Sequence, residues 1–416
     1  MLKNKKFNYI ILGILVLSCA GIVSWSFIVS NSFSFNPPPF ASLINSMPSH
    51  QDSDADILKE AIEKGKEFLY RMEDPDYHGF HKYYYAETDF LEQRLHTVYS
   101  ASIIYTFLYI YDYDKDEEIL IRLGEWAEFL LSMQETDKDS PIYGAFSYSY
   151  SLDAREKEQR YVVGTSALSI FTLLKLHEIT GEQKYLDSAK IAGDWIVSMQ
   201  RGDGVVKPYA RHNGETWVSG DKLSLLYNGQ SLSALSKLYE ATKDKKYYDS
   251  AKKIADLFAS RYESAGRGYV VGEYRAENPI SNTWLVMSLM DFYKASSIDY
   301  YKDIVFELSS QIISTQMEDG RIDGAYSTSG NGWISEVMTD TYSFCLEEQR
   351  TDCEKYKTTA LDIMKWIIAR TYLNASSLPN PQKAEGGVFW NMSETYVRTD
   401  SVCHALNGYT RIMKYL

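Results

Sequence analysis

The chain has 416 residues, of which 45% are hydrophobic and 24% are charged. This composition supplies enough apolar material for a large core and excludes a disordered protein. The 43 Lys and Arg against 56 Asp and Glu give a net charge of −13, which disfavours a protein that binds the nucleic-acid backbone. The 34 tyrosines and 8 tryptophans exceed what a core needs, so we expect many of these rings at a hydrated, ligand-binding surface.

An uncharged apolar run occupies residues 9–29. It matches the roughly 20 residues that a membrane-spanning helix needs. The apolar run continues past Cys19 without a small-residue cleavage site, so a cleaved signal peptide fits less well than a retained anchor. Three lysines precede the run within residues 1–8, and positive charge stays on the cytoplasmic side. We therefore predict a short cytoplasmic tail, one transmembrane helix and an extracytoplasmic C-terminal part.

The part after the anchor divides into a linker and one domain. Residues 30–53 contain Pro37-Pro38-Pro39 with several Ser and Asn, which is typical of an extended, flexible tether. Residues 54–416 carry regular helical periodicity and form the predicted folded domain.

Only three cysteines follow the anchor, Cys345, Cys353 and Cys403. An odd number does not describe a disulfide framework. Pairing of Cys345 with Cys353 and a free buried thiol both remain open. Use of the N-glycosylation sequons at Asn374 and Asn391 also remains open.

An internal repeat defines the predicted fold. Tyr185–Lys190 (YLDSAK) recurs 62 residues later as Tyr247–Lys252 (YYDSAK), and each copy lies at the start of an amphipathic helix. Six helices of this amphipathic kind are predicted from the 3.6-residue apolar spacing. They begin near Asp54, Glu117, Lys184, Lys246, Tyr300 and Glu354.

A second set of six helices alternates with the first and is more apolar on all sides. A helix that is apolar all round is covered on more than one side, so this set is predicted to form an inner ring inside the amphipathic one. Its members begin near His96, Val163, Tyr227, Ser281, Thr339 and Thr399.

The two kinds of connection differ. Inner-to-outer links are short and polar, whereas outer-to-inner links are long, Gly-aromatic and hairpin-like. Long loops at one end of a rigid scaffold usually carry function, which makes that end the candidate site. With its six helical hairpins and the repeated Y-x-D-S-A-K segment, the chain resembles the six-hairpin glycosidase superfamily over about residues 54–416.

The resemblance implies an all-α (α/α)6 toroid with short β-hairpin loops and a carbohydrate substrate. The superfamily includes glycoside hydrolases, unsaturated uronyl hydrolases, polysaccharide lyases and sugar epimerases, so the fold indicates an oligosaccharide or polysaccharide more firmly than it indicates a reaction.

Carboxylates near the starts of the inner helices are the first catalytic candidates. Asp340 and Asp400 lie on adjacent predicted hairpins, and Glu336 precedes Asp340 by one turn. Glycoside hydrolysis needs two carboxyl groups, so Asp340 and Asp400 are predicted as the acid/base pair with Glu336 as a third candidate. N-capping of the helices is the competing explanation for these residues.

Arginines in the long loops are the second pattern, because guanidinium groups bind carboxylates in a bidentate manner. They predict an anionic, uronate-like sugar, although surface ion pairing explains each arginine taken alone. The predicted substrate-binding arginines are Arg94, Arg211, Arg275 and Arg398.

An anionic sugar also permits lyase or C5-epimerase chemistry, for which Tyr274 and His212 are candidate bases. Other predicted substrate contacts are three tryptophans that could stack on sugar rings, and two polar residues near inner-helix starts. Packing within the hairpins would explain the tryptophans equally well, and N-capping or core packing is the competing explanation for the polar residues. They are Trp217, Trp333, Trp390, Asn282 and His404.

No phosphate loop, G-x-S-x-G, H-E-x-x-H or paired C-x-x-C occurs in the sequence, so we expect neither a metal nor a cofactor. The sequence thus predicts a membrane-anchored, extracytoplasmic glycoside hydrolase that acts on an anionic glycan. A uronate lyase or C5-epimerase, and a non-catalytic glycan-binding or assembly protein, are the alternatives.

Overall fold

The computed structural model describes residues 53–276, 278–373, 376–391 and 393–416. The predicted anchor at 9–29 lies outside these residues, as does all of the predicted linker except Ser53. None of the helices in the described ranges is both long and apolar enough to cross a membrane.

Long helices alternate along the described chain in antiparallel pairs. In chain order the helices are α1 (Asp54–Tyr70), α2 (Thr97–Asp114), α3 (Glu117–Ser132), α4 (Val163–Thr180), α5 (Gln183–Ser198), α6 (Leu225–Thr242), α7 (Lys245–Ser264), α8 (Ile280–Ser296), α9 (Asp299–Ile313), α10 (Thr328–Glu347), α11 (Glu354–Ile368), the short α12 (Pro381–Ala384) and α13 (Thr399–Ile412).

Six of these helices form a closed inner ring. Helices α2, α4, α6, α8, α10 and α13 each contact the next, and α13 contacts α2. Helix α8 buries every residue from Ser281 to Phe292, whereas the outer helix α3 buries one stripe that includes Leu123 and Trp126. Burial on all sides in one set and on one face in the other follows the apolar patterns of the sequence. The predicted double ring of six hairpins is confirmed.

The predicted start of the fifth inner helix, α10, is wrong. This helix begins at Thr328 and not near Thr339, because the Ser327 hydroxyl caps the Gly330 N–H at 3.0 Å and the glycine-rich run continues as helix. Gly332 lies so close to His404 that an added Cβ would be 3.1 Å from the His404 Cβ. Asp340 therefore lies deep within an inner helix and not at its start.

Short strands precede several inner helices. They are β1 (Tyr83–Tyr85), β2 (Phe90–Leu91), β3 (Arg94–His96), β4 (Ser149–Ser151), β5 (Glu156–Lys157), β6 (Arg160–Val162), β7 (Tyr209–His212), β8 (Trp217–Ser219) and β9 (Val397–Arg398). They form three antiparallel three-stranded sheets in the orders β2-β1-β9, β3-β4-β5 and β6-β7-β8. In the first of these sheets Tyr83 pairs with Arg398, so it joins the first hairpin to the last.

Buried asparagines near the starts of the inner helices hold the long loops. The Oδ1 atoms of Asn228, Asn282 and Asn331 accept hydrogen bonds from the backbone N–H groups of Val206, Val270 and Ile322 at 2.8–2.9 Å. Each bond satisfies a buried loop amide that would otherwise lack a partner. The loops at this end are thus fixed to the inner ring.

Cys345 and Cys353 are joined by a disulfide, which resolves the alternative that the sequence left open. The bridge connects the end of α10 to the residue that precedes α11. Cys403 is a free, buried thiol.

Candidate functional site

A cavity of about 370 Å³ opens at the long-loop end of the inner ring. Its walls come from the first halves of the inner helices and from the strands and loops that lead into them. Acidic, basic and aromatic side chains share this wall. The wall residues include Lys82, Tyr99, Tyr227, Arg275, Trp284, Trp333, Glu336, Trp390, Arg398, Asp400, His404, Asn407 and Arg411.

The most buried charged group of the wall is the carboxylate of Glu336, which is 3% exposed. Its Oε2 lies 2.9 Å from His404 Nδ1. Its Oε1 accepts from Asn407 Nδ2 at 3.3 Å and lies 3.0 Å from Arg411 Nη2. The three partners are spaced i, i+3 and i+7 on α13, which places them on one face of that helix.

Arg411 keeps Glu336 ionised. Burial raises the pKa of the Glu336 carboxyl, but the Arg411 charge and the His404 hydrogen bond outweigh burial and hold this pKa below its ordinary value. An ionised Glu336 requires a proton on His404 Nδ1, because only an N–H can donate to the carboxylate. His404 Nε2 is then the ring nitrogen left for a ligand in the cavity.

Asp400 is the second acid of the wall, and Arg398 and Ser329 saturate it. Arg398 donates from Nε and Nη2 at 2.6 and 2.5 Å, and Ser329 Oγ donates at 2.9 Å. Burial raises the pKa of Asp400, but the Arg398 charge and hydrogen bonds outweigh it and the pKa is lowered. The Arg398 guanidinium also lies 3.7 Å from the centre of the Trp390 ring, so this arginine is fixed on both sides.

Aromatic rings supply the apolar part of the wall. Trp284 and Trp333 stack with ring centroids 3.9 Å apart, and Trp333 also packs against His404 at 5.3 Å. The indole N–H of Trp333 is buried and has no hydrogen-bond partner among the described residues. Such surfaces suit the C–H faces of sugar rings, and an unsatisfied donor suits a sugar oxygen.

The Lys82 ammonium contacts only aromatic rings among the described residues. Its Nζ lies 4.4 Å from the centre of the Tyr83 ring and 5.0 Å from that of Tyr99. Burial lowers the pKa of this ammonium. An ammonium over aromatic rings with no carboxylate partner is a ready site for an anionic ligand group.

The structure brings half of the predicted site residues to the cavity wall. Glu336 and Asp400 of the predicted catalytic set are there, and so is most of the predicted substrate-binding set. The latter residues are Arg275, Arg398, Trp333, Trp390 and His404. Their roles remain predictions.

The predicted acid/base pair of Asp340 and Asp400 is not brought together. Asp340 lines a different cavity, near the C-terminal ends of the inner helices, and Arg411 Nη1 binds its Oδ2 at 2.5 Å. Burial raises the pKa of Asp340, and Arg411 opposes this rise. The physical reason is the earlier start of α10, which carries Asp340 past the mouth cavity.

The remaining predicted residues lie outside the cavity wall. His212 is exposed on β7, where its ring packs at 5.4 Å from Trp217 on β8. The ring of Tyr274 packs against that of Tyr227, with ring centroids 6.2 Å apart. Asn282 holds a loop through the Val270 N–H. Arg94 donates to Ser149 Oγ at 2.9 Å, and Arg211 is exposed on β7.

Sequence reasoning missed Lys82, Trp284, Asn407 and Arg411. A signal for two of them exists, because His404, Asn407 and Arg411 recur at helical spacing and form a polar stripe on α13. Lys82 carries no local signal, since its position at the cavity depends on the pairing of the first and last hairpins.

One cluster brings potential metal-ligand atoms together within the described ranges, and it lies outside both cavities. It consists of Glu73, His78 and Glu125. Arg122 Nη1 already pairs with Glu73 Oε2 at 3.1 Å, which competes with a cation.

The family model for Glycosyl hydrolase family 76 matches residues 165–284, from the start of α4 to the start of α8. No curated protein matches the chain in sequence.

Solved structures match over nearly the whole toroid. Cellobiose 2-epimerase from Bacillus thermoamylovorans is 12% identical with a TM-score of 0.69, covering 87% of this chain and 99% of its own. An unsaturated glucuronyl hydrolase specific for heparin is 12% identical with a TM-score of 0.63, covering 86% and 98%. An inactive variant of an α-1,6-mannanase of family 76 from Salegentibacter sp. is 13% identical with a TM-score of 0.59, covering 86% and 100%. These matches show that the chain has the fold of these enzymes, an (α/α)6 toroid of six helical hairpins.

Proposed function

We propose that the chain is a carbohydrate-active enzyme and that its active site is the mouth cavity. The observation that carries this proposal is the hydrogen bond between His404 Nδ1 and the ionised, buried Glu336. A carboxylate behind a histidine orients the ring and stabilises its protonated form, so that Nε2 takes and returns a proton. Such a pair, beside stacked indoles in a cavity of sugar size, is suited to proton transfer on a carbohydrate.

The reaction that this geometry supports best is removal of the proton next to a uronate carboxylate. His404 Nε2 would take the C5 proton, and the electron pair left on C5 would spread into a carboxylate whose charge Lys82 balances. Return of a proton to the opposite face of C5 is epimerisation. In a lyase reaction the C5 electron pair instead forms the C4–C5 double bond, and the C4–O bond breaks so that its electrons leave with the oxygen, which takes up a proton.

Glycoside hydrolysis is the second candidate, because the family 76 model matches part of the chain. Two observations favour the uronate reaction over hydrolysis. The matched residues 165–284 contain neither Glu336 nor His404, and the mannanase is described as inactivated by replacing two consecutive aspartates, whereas this chain has no Asp-Asp pair. Among the acids named in the cavity wall, Glu336 and Asp400 both have lowered pKa values, which does not suit the protonated general acid of a hydrolase.

An anionic substrate is supported by Lys82 and by a pair of arginines on the sheet formed by β6, β7 and β8. Arg160 on β6 lies directly opposite Arg211 on β7, so their side chains project from the same face of the sheet. Neither has an acidic partner within the described residues. Two like charges side by side are unfavourable unless an anion lies between or near them.

The test is incubation of the full-length protein in D₂O with uronate-containing and neutral oligosaccharides. Deuterium at C5 with unchanged chain length indicates an epimerase, and absorbance from a new C=C bond indicates a lyase. New reducing ends without unsaturation would make hydrolysis the function. Binding without any chemical change would contradict an enzyme.

His404→Gln should lower turnover by about 10²–10⁴-fold if the histidine transfers the proton. His177→Gln is the matched control, because His177 lies at the end of α4 away from the cavity and bonds only the Glu182 carbonyl. Equal turnover of the two variants would remove His404 from the mechanism.

Lys82→Met should weaken turnover of uronate substrates by about 10-fold or more, since a hydrogen bond to a charged group contributes about 1.5–3 kcal/mol. Binding of a neutral analogue should change little. Lys59→Met, on the exposed side of α1, is the control. Equal losses on uronate and neutral ligands would contradict carboxylate recognition by Lys82.

We also propose that the toroid works outside the cytoplasm, tethered through residues 9–29. The apolar run and the preceding lysines support this orientation, and a disulfide between Cys345 and Cys353 is typical of an oxidising compartment. Digestion of intact cells with an external protease should remove the C-terminal part, and protection of that part would contradict the proposal.

A further inference from the structure

A second cavity, called the lower cavity here, has a volume of about 290 Å³ and lies between the C-terminal halves of the inner helices. It is at the opposite end of the inner ring from the mouth cavity. Tyr105, Met287 and Arg411 line both cavities and separate them. The lower cavity is therefore a distinct space that the proposed reaction does not use.

Asp291 lines the lower cavity, and one of its two carboxylate oxygens is buried without a hydrogen-bond partner among the described residues. Asp291 is 7% exposed, and its Oδ1 binds Lys237 Nζ at 2.9 Å. Its Oδ2 is buried and accepts no hydrogen bond from any described residue. An unsatisfied buried carboxylate oxygen is unfavourable, so a hydrogen-bond donor supplied by a ligand would be stabilising.

The charges of the wall indicate what kind of donor fits. Four cationic side chains, Lys237, Lys294, Arg411 and Lys414, face three acidic ones, Asp291, Asp340 and Glu347. The acids of this wall do not form a group that could chelate a metal ion within the described residues. A wall with both signs nearly balanced suits a neutral ligand that both donates and accepts hydrogen bonds.

The rest of the wall suits a ring with hydroxyl groups. The rings of Tyr105 and Tyr109 contact edge to face at 4.8 Å, and their hydroxyls are 3.0 Å apart. Met287 and Met290 add apolar surface. A sugar or cyclitol ring presents apolar C–H faces and hydroxyls that both donate and accept.

We propose that the lower cavity is a binding site for a neutral polyol of monosaccharide size, with a ligand hydroxyl donating to Asp291 Oδ2. Arg411 connects this site to the mouth, because its guanidinium binds Asp340 on the lower side and Glu336 on the upper side. The site is independent of which reaction the mouth cavity performs.

The test is calorimetric titration of the full-length protein with myo-inositol and with D-glucose. Binding of at least one probe is expected, and Asp291→Asn should weaken it about 10-fold or more. Asp303→Asn, which changes an exposed acid on α9, should leave the affinity unchanged. Asp400→Asn, in the mouth cavity, should also leave it unchanged.

Absence of binding by both probes to the unchanged protein would overturn the proposal. Loss of binding in Asp400→Asn with retention in Asp291→Asn would also overturn it, because the ligand would then lie in the mouth. If Asp291→Asn does not fold, Lys294→Met is the variant that tests the site. Lys294 lines the lower cavity, and because its side chain is 45% exposed, its replacement should not prevent folding. Weaker binding by Lys294→Met supports the lower site, and unchanged binding contradicts it.

Discussion

Arg411 has two acidic partners on different sides of its guanidinium, the buried Glu336 and the partly exposed Asp340. Nη2 lies 3.0 Å from Glu336 Oε1, and Nη1 lies 2.5 Å from Asp340 Oδ2. Burial raises the pKa of both carboxyls and the Arg411 charge opposes it; the pKa of Glu336 ends below its ordinary value, whereas that of Asp340 stays raised. One residue thus holds together the acid behind His404 and the acid of the lower cavity.

Arg411→Met should reduce the free energy of unfolding by about 3–5 kcal/mol at neutral pH, because it leaves buried charge uncompensated. Arg261→Met, which changes an exposed arginine on α7, should have an effect within about 0.5 kcal/mol. Chemical denaturation of the three proteins measures both values.

The difference in the free energy of unfolding between the unchanged protein and Arg411→Met should depend on pH. The folded-state pKa of Glu336 is lowered, so its contribution is present above the unfolded pKa of about 4.3 and is lost as pH falls below it. In Arg411→Met the folded-state pKa values of Glu336 and Asp340 should rise. Both carboxyls then become protonated as the pH falls, and the uncompensated negative charge that destabilises the variant is removed. The stability difference should narrow from pH 7 to pH 3, and a constant difference would contradict this electrostatic role.

At the scale of helices and loops, glycines after several outer helices let the following loop contact the next outer helix. Gly204, after α5, has φ +90°, and a Cβ there would lie 2.5 Å from the Lys253 carbonyl oxygen of α7. Gly386, after α11, has φ +83° and meets the Lys64 carbonyl of α1 in the same way. The second contact connects the last outer helix to the first.

Gly204→Ala should destabilise the protein by at least about 1–3 kcal/mol, through strain at positive φ and the clash with Lys253. Gly202→Ala is a close control, because nothing lies within 4 Å of a Cβ at Gly202 and its φ is not positive. Thermal unfolding of both variants checks the prediction. Equal midpoints would show that the loop moves without strain.

At the scale of the whole molecule, the domain that the structure describes is a ring closed between its first and last hairpins. Strand β1 pairs with β9, and α13 contacts both α1 and α2. This closure brings Lys82 near Arg398 and Asp400, and thereby completes the mouth cavity. A disulfide between Cys345 and Cys353 adds a covalent link between α10 and α11 in the same half of the ring.

Reduction of this disulfide should lower the free energy of unfolding by about 2–4 kcal/mol, because it increases the freedom of the unfolded chain. Thermal unfolding with and without dithiothreitol measures the effect. The Cys345→Ser/Cys353→Ser double variant should unfold near the reduced midpoint and should not respond to reductant. A large response in that variant would assign the effect to something other than this bond.

The sequence by itself determined the double ring of six hairpins, the inner and outer sets, and the end that carries the long loops. Apolar periodicity is local, so it survives without knowledge of contacts. The prediction that α10 starts near Thr339 was wrong because Gly330, Asn331 and Gly332 are weak helix formers. Their helical state depends on packing against α8 and α13, where small residues permit close approach.

Only the tertiary structure decided which polar residues meet. Glu336 and His404 are 68 positions apart, and Lys82 reaches the cavity through pairing of the first and last hairpins. Asp340 was predicted at the mouth, but the rise of about 1.5 Å per helical residue carries it to the lower cavity once α10 starts at Thr328. Residue type and spacing predict helices, whereas the distance between side chains on different helices depends on where each helix begins and how the ring closes.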